Sequence, residues 1–358
     1  MAEVVAAEKI RWLPVPRVQQ LASQQLETVP VMYVMDDIHD IIITVDPNQS
    51  LCVPLIDMTK LENPESQAME VYKLHSACKE WGIFQLINHG VSDESLRNMR
   101  KKVKEFFELP LTEKEGWAQK PGSSEGYGQL FVTSEHQKLP WNDMVFLKVI
   151  PFESTKFEFW PAKPHQFRET LVSYIEGMRE VTVSIMKYMA MGLKIIDEEF
   201  YETYKEGTYD MRMNLYPACP EPEKAIGIHP HIDVHGITLL LECADSPQIP
   251  GLHVLKDSHW VFVQPIEGAL VVDIGGIMEI MSNGIYKAPL HRAVVNKTKE
   301  RLSIVTVCNP SPSLSIGPAK ELTMSGSPAL YKSVTIEEYF ECFYSSKYGI
   351  PFIDRLKI

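Results

Sequence analysis

The chain has 358 residues, 45% of them hydrophobic and 23% charged, which suffices for a large core and is too apolar for a disordered polymer. A formal net charge of −12 leaves no basic footprint for non-specific contact with nucleic acid, and no support for an anionic membrane surface as partner. The six cysteines (Cys52, Cys78, Cys219, Cys243, Cys308 and Cys342) lie far apart with no C-x-x-C pair, which argues against a zinc ribbon or thioredoxin-type site and favours buried thiols over disulfides.

The N-terminal "MAEVVAAEKIRW" carries Glu3, Glu8 and Lys9 and no long apolar run, so it does not read as a signal peptide. No stretch approaches the ~20 apolar residues that span a bilayer. A cytoplasmic location is therefore expected, and the N-x-S/T patterns at Asn48 and Asn296 read as chance matches. Residues 15–33 predict a short helix ending before Pro30, and "DDIHD" and "DPNQS" mark a loop. Residues 51–58, "LCVPLIDM", read as a short buried strand. Apolar spacing predicts a helix over 66–81 that stops at Gly82, then a strand over 82–90. An amphipathic helix follows over 92–109, with Ser92 and Ser95 at its start and Pro110 at its end. Residues 118–165 are rich in Gly, Pro and aromatics and show no clean period. A long helix is expected over 165–193. From about 209 to 310, short β-rich runs alternate with Gly/Pro/Asn turns ("YDMRMNLY", "GITLLLEC", "LHVLK", "HWVFVQP", "ALVVDIG", "RAVVN", "RLSIVTV"), which predicts an all-β sandwich or barrel. A final helix is expected over 335–348.

The chemistry concentrates in "IGIHPHIDVHG", residues 226–236. Strand alternation puts His231 and Asp233 on one face, and His229 and His235 share that parity. A bare H-x-D is more often a chance surface pair. A third donor is available in "LHRAVVN", where His291 lies on the lip of another predicted strand; alone it would read as a satisfied core histidine. Two imidazoles and one carboxylate on one side of an ion leave three positions open, the facial triad suited to non-haem Fe(II). Ten residues further on, Arg301 and Ser303 of "RLS" share a face. A guanidinium binds a carboxylate bidentately and a neighbouring hydroxyl takes a remaining lone pair. A keto acid that chelates iron at one end and needs a cation at the other is 2-oxoglutarate. Asn214 and Tyr216 of "RMNLYPACP" offer two more polar groups on one strand face.

The segments "VPLIDM", "HSACKEWGIFQLINHGV", "EGYGQLFVTSEHQKLPW", "NLYPACPEP", "HPHIDVHGITLLL", "GLHVLKDSHWVFVQP", "EIMSNGIYKAPLHRAVVN" and "ERLSIV" together resemble the plant 2-oxoglutarate/Fe(II)-dependent dioxygenases over nearly the whole chain. The resemblance is strongest to the senescence-related-type branch, which includes alkaloid O-demethylases and an enzyme reported as a norcoclaurine synthase. It implies an α+β fold with a mainly β core, a double-stranded β-helix (jelly roll) flanked by helices. It divides the chain into an N-terminal helical extension (1–50), a dioxygenase N-terminal region (51–165), a long helix and connector (166–208), the catalytic β-core (209–310) and a helical tail (311–358). It implies His231, Asp233 and His291 as ligands of Fe(II), with His229 near the metal and neither His229 nor His235 a ligand. It implies contacts to 2-oxoglutarate from Arg301, Ser303, Tyr216 and Asn214, O2 as second co-substrate, and ascorbate as a helpful additive.

The implied reaction is hydroxylation, or O- or N-demethylation, of an apolar aromatic small molecule such as an alkaloid or phenolic in plant specialised metabolism. A non-oxidative condensing enzyme on the same scaffold is the alternative; a zinc hydrolase or a silent binding protein ranks lower. Walls for the substrate are expected from Tyr127, Leu130, Phe131, Met144, Phe146, Phe343 and Tyr344, although ordinary core packing competes for each. A monomer without nucleic-acid or membrane partners is expected. Three positions depart from the family pattern. Gly276 replaces an Asp in "DIGGIMEI", Leu215 replaces a Tyr in "NLYP", and Pro289 stands just before His291, where it could stiffen or shift that ligand. Asp233 is retained, which argues against a halogenase.

Overall fold

The computed structural model describes residues 13, 15–35, 51–129, 132, 134, 136–243, 251–324, 327–345 and 352–358. Leu130, Phe131 and Asn48 lie outside the described residues.

The N-terminal part alternates helix and strand: α1 (Val18–Ser23), β1 (Leu55–Asp57), α2 (Gln67–Glu80), β2 (Ile83–Ile87), α3 (Asp93–Glu108), β3 (Gly126–Gly128) and β4 (Asp143–Ile150). Helix α1 is shorter than the expected 15–33, and a 3₁₀ turn over Val31–Tyr33 follows Pro30. Strand β1 is cut to three residues because the Asp57 side chain accepts a hydrogen bond from the Thr59 amide and caps a short helix, Met58–Glu62. Ser92 caps α3 in the same way, accepting from the Ser95 amide, with Asp93 and Glu94 in the first turn where the helix dipole favours them. Helix α4 (Phe167–Leu193) is the longest of those described.

Beyond it come β5 (Thr208–Tyr216), β6 (Ile228–His231), β7 (Ile237–Glu242), β8 (Leu252–Lys256), β9 (His259–Phe262), β10 (Leu270–Ile274), a helix α5 (Gly276–Met281), β11 (His291–Ala293), β12 (Arg301–Asn309) and, past a small hairpin, α6 (Ile336–Tyr344). Among the described residues these strands form a major sheet of eight, in the order β1-β2-β10-β7-β12-β5-β4-β3, and a minor sheet of four, β6-β11-β8-β9. All pairings in both are antiparallel except β1 with β2.

Alternation decides what each face of the major sheet does. Met211, Met213 and Leu215 of β5, Leu239 and Leu241 of β7, Val272 and Ile274 of β10, and Ile304 of β12 turn outward into one core with Leu171, Ile175, Met178 and Ile185 of α4. Burying each such side chain contributes about 1.5–3 kcal/mol. That core also takes in Phe84, Leu96, Met99, Phe106 and Phe107, so the N-terminal helices and the β-core share it. The opposite parity, Arg212, Asn214 and Tyr216 of β5 with Arg301, Val305 and Val307 of β12 and Thr238 and Leu240 of β7, lines a cavity closed on its far side by Ile228, His231, Leu252, His291 and Ala293 of the minor sheet. Two sheets wrapped around a central cavity and covered by helices on one outer face make a jelly roll in an α+β molecule. No helix among the described residues is long and apolar enough to cross a membrane.

Several elements were not expected from the sequence, among them β4 and α5. Strand β4 lies in the aperiodic region because it is buried on both faces over most of its length and shows no period of two. Helix α5 is six residues long and buried throughout, too short for a helical period.

Candidate active site

His231 ends β6, His291 begins β11, and the two are register partners across the minor sheet, with ring centroids 4.3 Å apart. Asp233 follows on the turn into β7. Its Oδ1 is 3.6 Å from His231 Nε2 and 3.7 Å from His291 Nε2. One donor atom from each of the three lies within 4.8 Å of the others. The backbone fixes which nitrogens face inward. His231 Nδ1 is 2.8 Å from the carbonyl of His229, and His291 Nδ1 is 3.2 Å from that of Pro289. A carbonyl only accepts, so each Nδ1 carries the proton and each Nε2 turns a lone pair toward Asp233. Two neutral imidazoles and a carboxylate aimed at one point are the donor set of a divalent transition metal, so the residues fit the iron that the sequence implies. Burial and the neighbouring His291 lower the His231 pKa, which favours the neutral imidazole with its lone pair free. Asp233 is held below the usual carboxylate range, because the two imidazoles and the Thr238 hydroxyl outweigh the opposing effect of burial.

His229 contributes its backbone carbonyl to this arrangement. His235 Nδ1 instead lies 3.3 Å from Asn309 Oδ1. The departures find physical explanations here. The Gly276 amide donates to the Asp233 carbonyl at 2.8 Å, and a Cβ on Gly276 would stand 2.6 Å from the hydroxyl of Tyr339. That hydroxyl donates to the Val234 carbonyl at 2.7 Å, so the missing side chain makes room for a tyrosine that pins the Asp233 turn. Leu215 points away from the cavity into the main core, and Pro289 supplies the acceptor that orients His291.

Cross-strand register assembles the second group. Arg301 pairs with Tyr216, and Ser303 with Asn214. All four are buried. The guanidinium carbon of Arg301 lies 5.0 Å from the Tyr216 ring centre, and Asn214 Nδ2 donates to Ser303 Oγ at 3.3 Å. A Cβ on Gly251 would collide with the Arg301 side chain, so that residue's lack of a side chain lets the arginine lie flat. Arg301 also makes a two-point contact with Glu242, its Nε donating to Oε2 at 3.1 Å and Nη2 to Oε1. Burial alone would lower the Arg301 pKa, but Glu242 more than reverses this.

Of the side chains expected to meet a substrate, Phe146, Phe343 and Tyr344 line the cavity. Phe343 and Tyr344 come from α6, which starts at a capping box between Thr335 and Glu338 and brings Phe340, Phe343 and Tyr344 round at i, i+3 and i+4. Tyr127 does not line it. Its ring packs edge-on against Phe106 and Phe107, with Arg17 above it, because β3 is an edge strand covered by the N-terminal segment. Met144 is fully buried and is not part of the lining either. Further groups were not marked by the sequence, among them Thr238, which donates to Asp233; Asp273, whose Oδ2 is 3.4 Å from His291 Nδ1 and whose pKa burial pushes well up; Arg212, whose Nε donates to Asn214 Oδ1 at 2.7 Å; Glu242; and Tyr339 and Phe340 of α6. Strand parity was the available signal for Arg212, two residues before Asn214 on β5; no residue singled out on β7 marked Glu242.

Comparison with known proteins agrees with this geometry. Residues 53–163 match the model of the non-haem dioxygenase in morphine synthesis N-terminal region, and residues 207–310 match that of the 2OG-Fe(II) oxygenase superfamily. The chain is 39% identical to S-norcoclaurine synthase 1 of Coptis japonica, covering 97% of each. It is 39% identical to the oxoglutarate-dependent flavonoid 7-O-demethylase 1 of Ocimum basilicum, over 97% of this chain and 92% of that one. The crystal structure of JOX2 in complex with 2OG, Fe and JA superposes with a TM-score of 0.84 at 31% identity, covering 97% of this chain and 99% of that one. A jelly roll with a His-Asp-His cluster and a buried arginine in its cavity, together with relatives spanning the whole fold, places this chain in the family of 2-oxoglutarate- and Fe(II)-dependent oxygenases.

Proposed function

We propose that this oxygenase oxidises an apolar aromatic small molecule of plant specialised metabolism, an alkaloid or phenolic, by hydroxylation or by O- or N-demethylation. The observation that carries the reading is the wall of Phe146, Phe340, Phe343 and Tyr344 in the same cavity as the His-Asp-His cluster. The flavonoid 7-O-demethylase relative supports it. His231, Asp233 and His291 would hold the iron, which when bound supplies the oxygen activation that no side chain can perform.

The other tasks fall to the chain. Thr238 and the Pro289 and His229 carbonyls hold the three ligands in their orientations. Arg301 and Ser303, with Tyr216 and Asn214 beside them, receive the far carboxylate of 2-oxoglutarate in a buried, weakly screened position. The aromatic wall excludes water and presents flat apolar surface to the substrate. For a methyl ether the balance is R–OCH3 + 2-oxoglutarate + O2 → R–OH + formaldehyde + succinate + CO2.

The test is a panel of methoxylated flavonoids and alkaloids incubated with Fe(II), ascorbate and 2-oxoglutarate. Equimolar succinate and formaldehyde, or succinate with a hydroxylated product, is expected. Oxidation confined to amino acids or peptides would overturn the substrate class. Product formed without O2 and 2-oxoglutarate would favour a condensing activity, as the norcoclaurine synthase relative's name suggests.

A further inference from the structure

We propose that Glu242 sets the affinity and charge selectivity of the 2-oxoglutarate anchor by holding Arg301 in a neutral ion pair, so that the distal carboxylate of the co-substrate binds against a standing negative charge. This rests on Arg301 being that anchor, as argued above.

The placement of Glu242 follows from the sheet. On β7, Thr238, Leu240 and Glu242 share one parity, and the first two line the cavity. Strand β12 lies beside β7 with Ser303 opposite Glu242, which puts Glu242 diagonal to Arg301. The same Ser303 faces Asn214 on its other side. The acid therefore stands in the row of residues that makes the anchor. Its contact with Arg301 is side-on, through Nε and Nη2. A guanidinium has five N–H groups, so donors remain for an incoming carboxylate after Glu242 and the Tyr216 hydroxyl have taken theirs, with Ser303 Oγ nearby. Glu242 thus does not block the anchor. It cancels its charge.

The cancellation is strong because the pair is little exposed, with side-chain exposures of 4% for Arg301 and 13% for Glu242. Solvent and salt screen such a pair poorly. A second carboxylate arriving at the free edge of Arg301 adds an uncompensated negative charge beside Glu242, and like charges in a shared buried site disfavour one another. The other cations nearby are engaged elsewhere: Arg212 Nε donates to Asn214 Oδ1, Arg100 Nε to the Glu242 backbone carbonyl, and Arg292 lies over the Trp260 ring. A glutamine at position 242 would keep an acceptor for Arg301 and remove the charge.

The experiment uses full-length protein loaded with Mn(II), which binds at the same donors without turnover, and reads dissociation constants by calorimetry. The probes are 2-oxoglutarate and its 5-methyl ester, which keeps the chelating end and a distal carbonyl acceptor but carries no distal charge. For Glu242→Gln the Kd of 2-oxoglutarate is expected to fall at least about fivefold, while that of the ester changes less than about twofold, since Glu242 opposes distal charge and the ester has none. An unchanged or raised Kd for 2-oxoglutarate overturns the proposal. So does a parallel fall for both probes, which would mark a structural role.

A second measure needs no variant. In the wild type the preference for 2-oxoglutarate over the ester should stay below about tenfold, whereas an unopposed buried guanidinium gives on the order of a hundredfold; a preference of that larger size overturns the proposal even if the variant does not fold. Arg301→Ala separates the two levels of argument. If it leaves 2-oxoglutarate binding intact, the anchor assignment itself fails; if it abolishes binding, the assignment stands and the glutamine variant decides the role of Glu242.

Discussion

The two ends of the cavity are built by different means. The metal end is held by strands and short turns in which nearly every polar atom has a partner: His231 and His291 face each other in register, Thr238 and the backbone orient the ligands, and Tyr339 pins the Asp233 turn. The end we propose for the substrate is walled by α6 and by Phe146 of β4, through aromatic rings that pack tilted or edge-on with few hydrogen bonds, such as Phe343 against Tyr344 at 5.1 Å and Phe343 against Phe352 at 5.2 Å. Hydrogen-bonded sites are specified by geometry and tolerate little change. Apolar walls are specified by volume and can be remodelled. The same scaffold can thus keep one oxidant and change what it oxidises.

Substitutions at the two ends should separate accordingly. The largest effect is expected at Asp233→Ala, which removes the single anionic donor of the cluster and should abolish measurable Fe(II) binding by calorimetry while the fold, read by circular dichroism, persists. Next, Arg301→Ala should weaken 2-oxoglutarate by on the order of a hundredfold, since it also leaves Glu242 buried without its partner; metal affinity should be unaffected. At the other end, Phe343→Ala should raise KM for an aromatic substrate about tenfold through lost apolar contact, with the Kd of 2-oxoglutarate unchanged. If that Kd moved as well, the two ends would not be independent.

Tyr339→Phe should sharpen the boundary between them. It removes one hydrogen bond to the Val234 carbonyl, worth about 1 kcal/mol, and should weaken Fe(II) about fivefold. The smallest effect concerns His253, outside both ends. Burial and the adjacent Arg292 depress its pKa to about 4. The folded protein keeps this imidazole neutral while the unfolded chain takes up a proton below about 6.5. Protons then favour the unfolded state, so stability is lost as pH falls from about 6.5 toward 4. His253→Gln should therefore lower Tm less than the wild type shows across that window in thermal melts.

The contrast also marks what the sequence could reveal. The metal end was legible because few residue types can ligate iron, and H-x-D, a distal His and R-x-S appear in order. Strand parity paired Arg301 with Ser303 and Asn214 with Tyr216 on single strand faces, whereas Asp233 lies past the end of β6, so its place beside His231 comes from a turn and not from alternation. Even there, Tyr339 and Glu242 escaped, because their roles depend on which strand or helix lies alongside, which no local pattern encodes. At the other end apolar and aromatic composition pointed to Phe146, Phe343 and Tyr344, which line the cavity, but it pointed equally to Tyr127 and Met144, which the fold buries outside the lining. An aromatic side chain suits a core as well as a pocket, so composition alone does not separate them. The β-core was readable from its turns, whereas β6 was hidden by Pro230 in a four-residue strand.

The most direct measurement is an anaerobic titration of the purified chain with Fe(II) and then 2-oxoglutarate, followed in the visible range. The metal-to-ligand charge-transfer band of the iron–keto acid chelate is expected, saturating at one iron and one 2-oxoglutarate per chain. Folded protein that binds iron yet develops no band on addition of 2-oxoglutarate would contradict a His231–Asp233–His291 iron site with Arg301 as its co-substrate anchor.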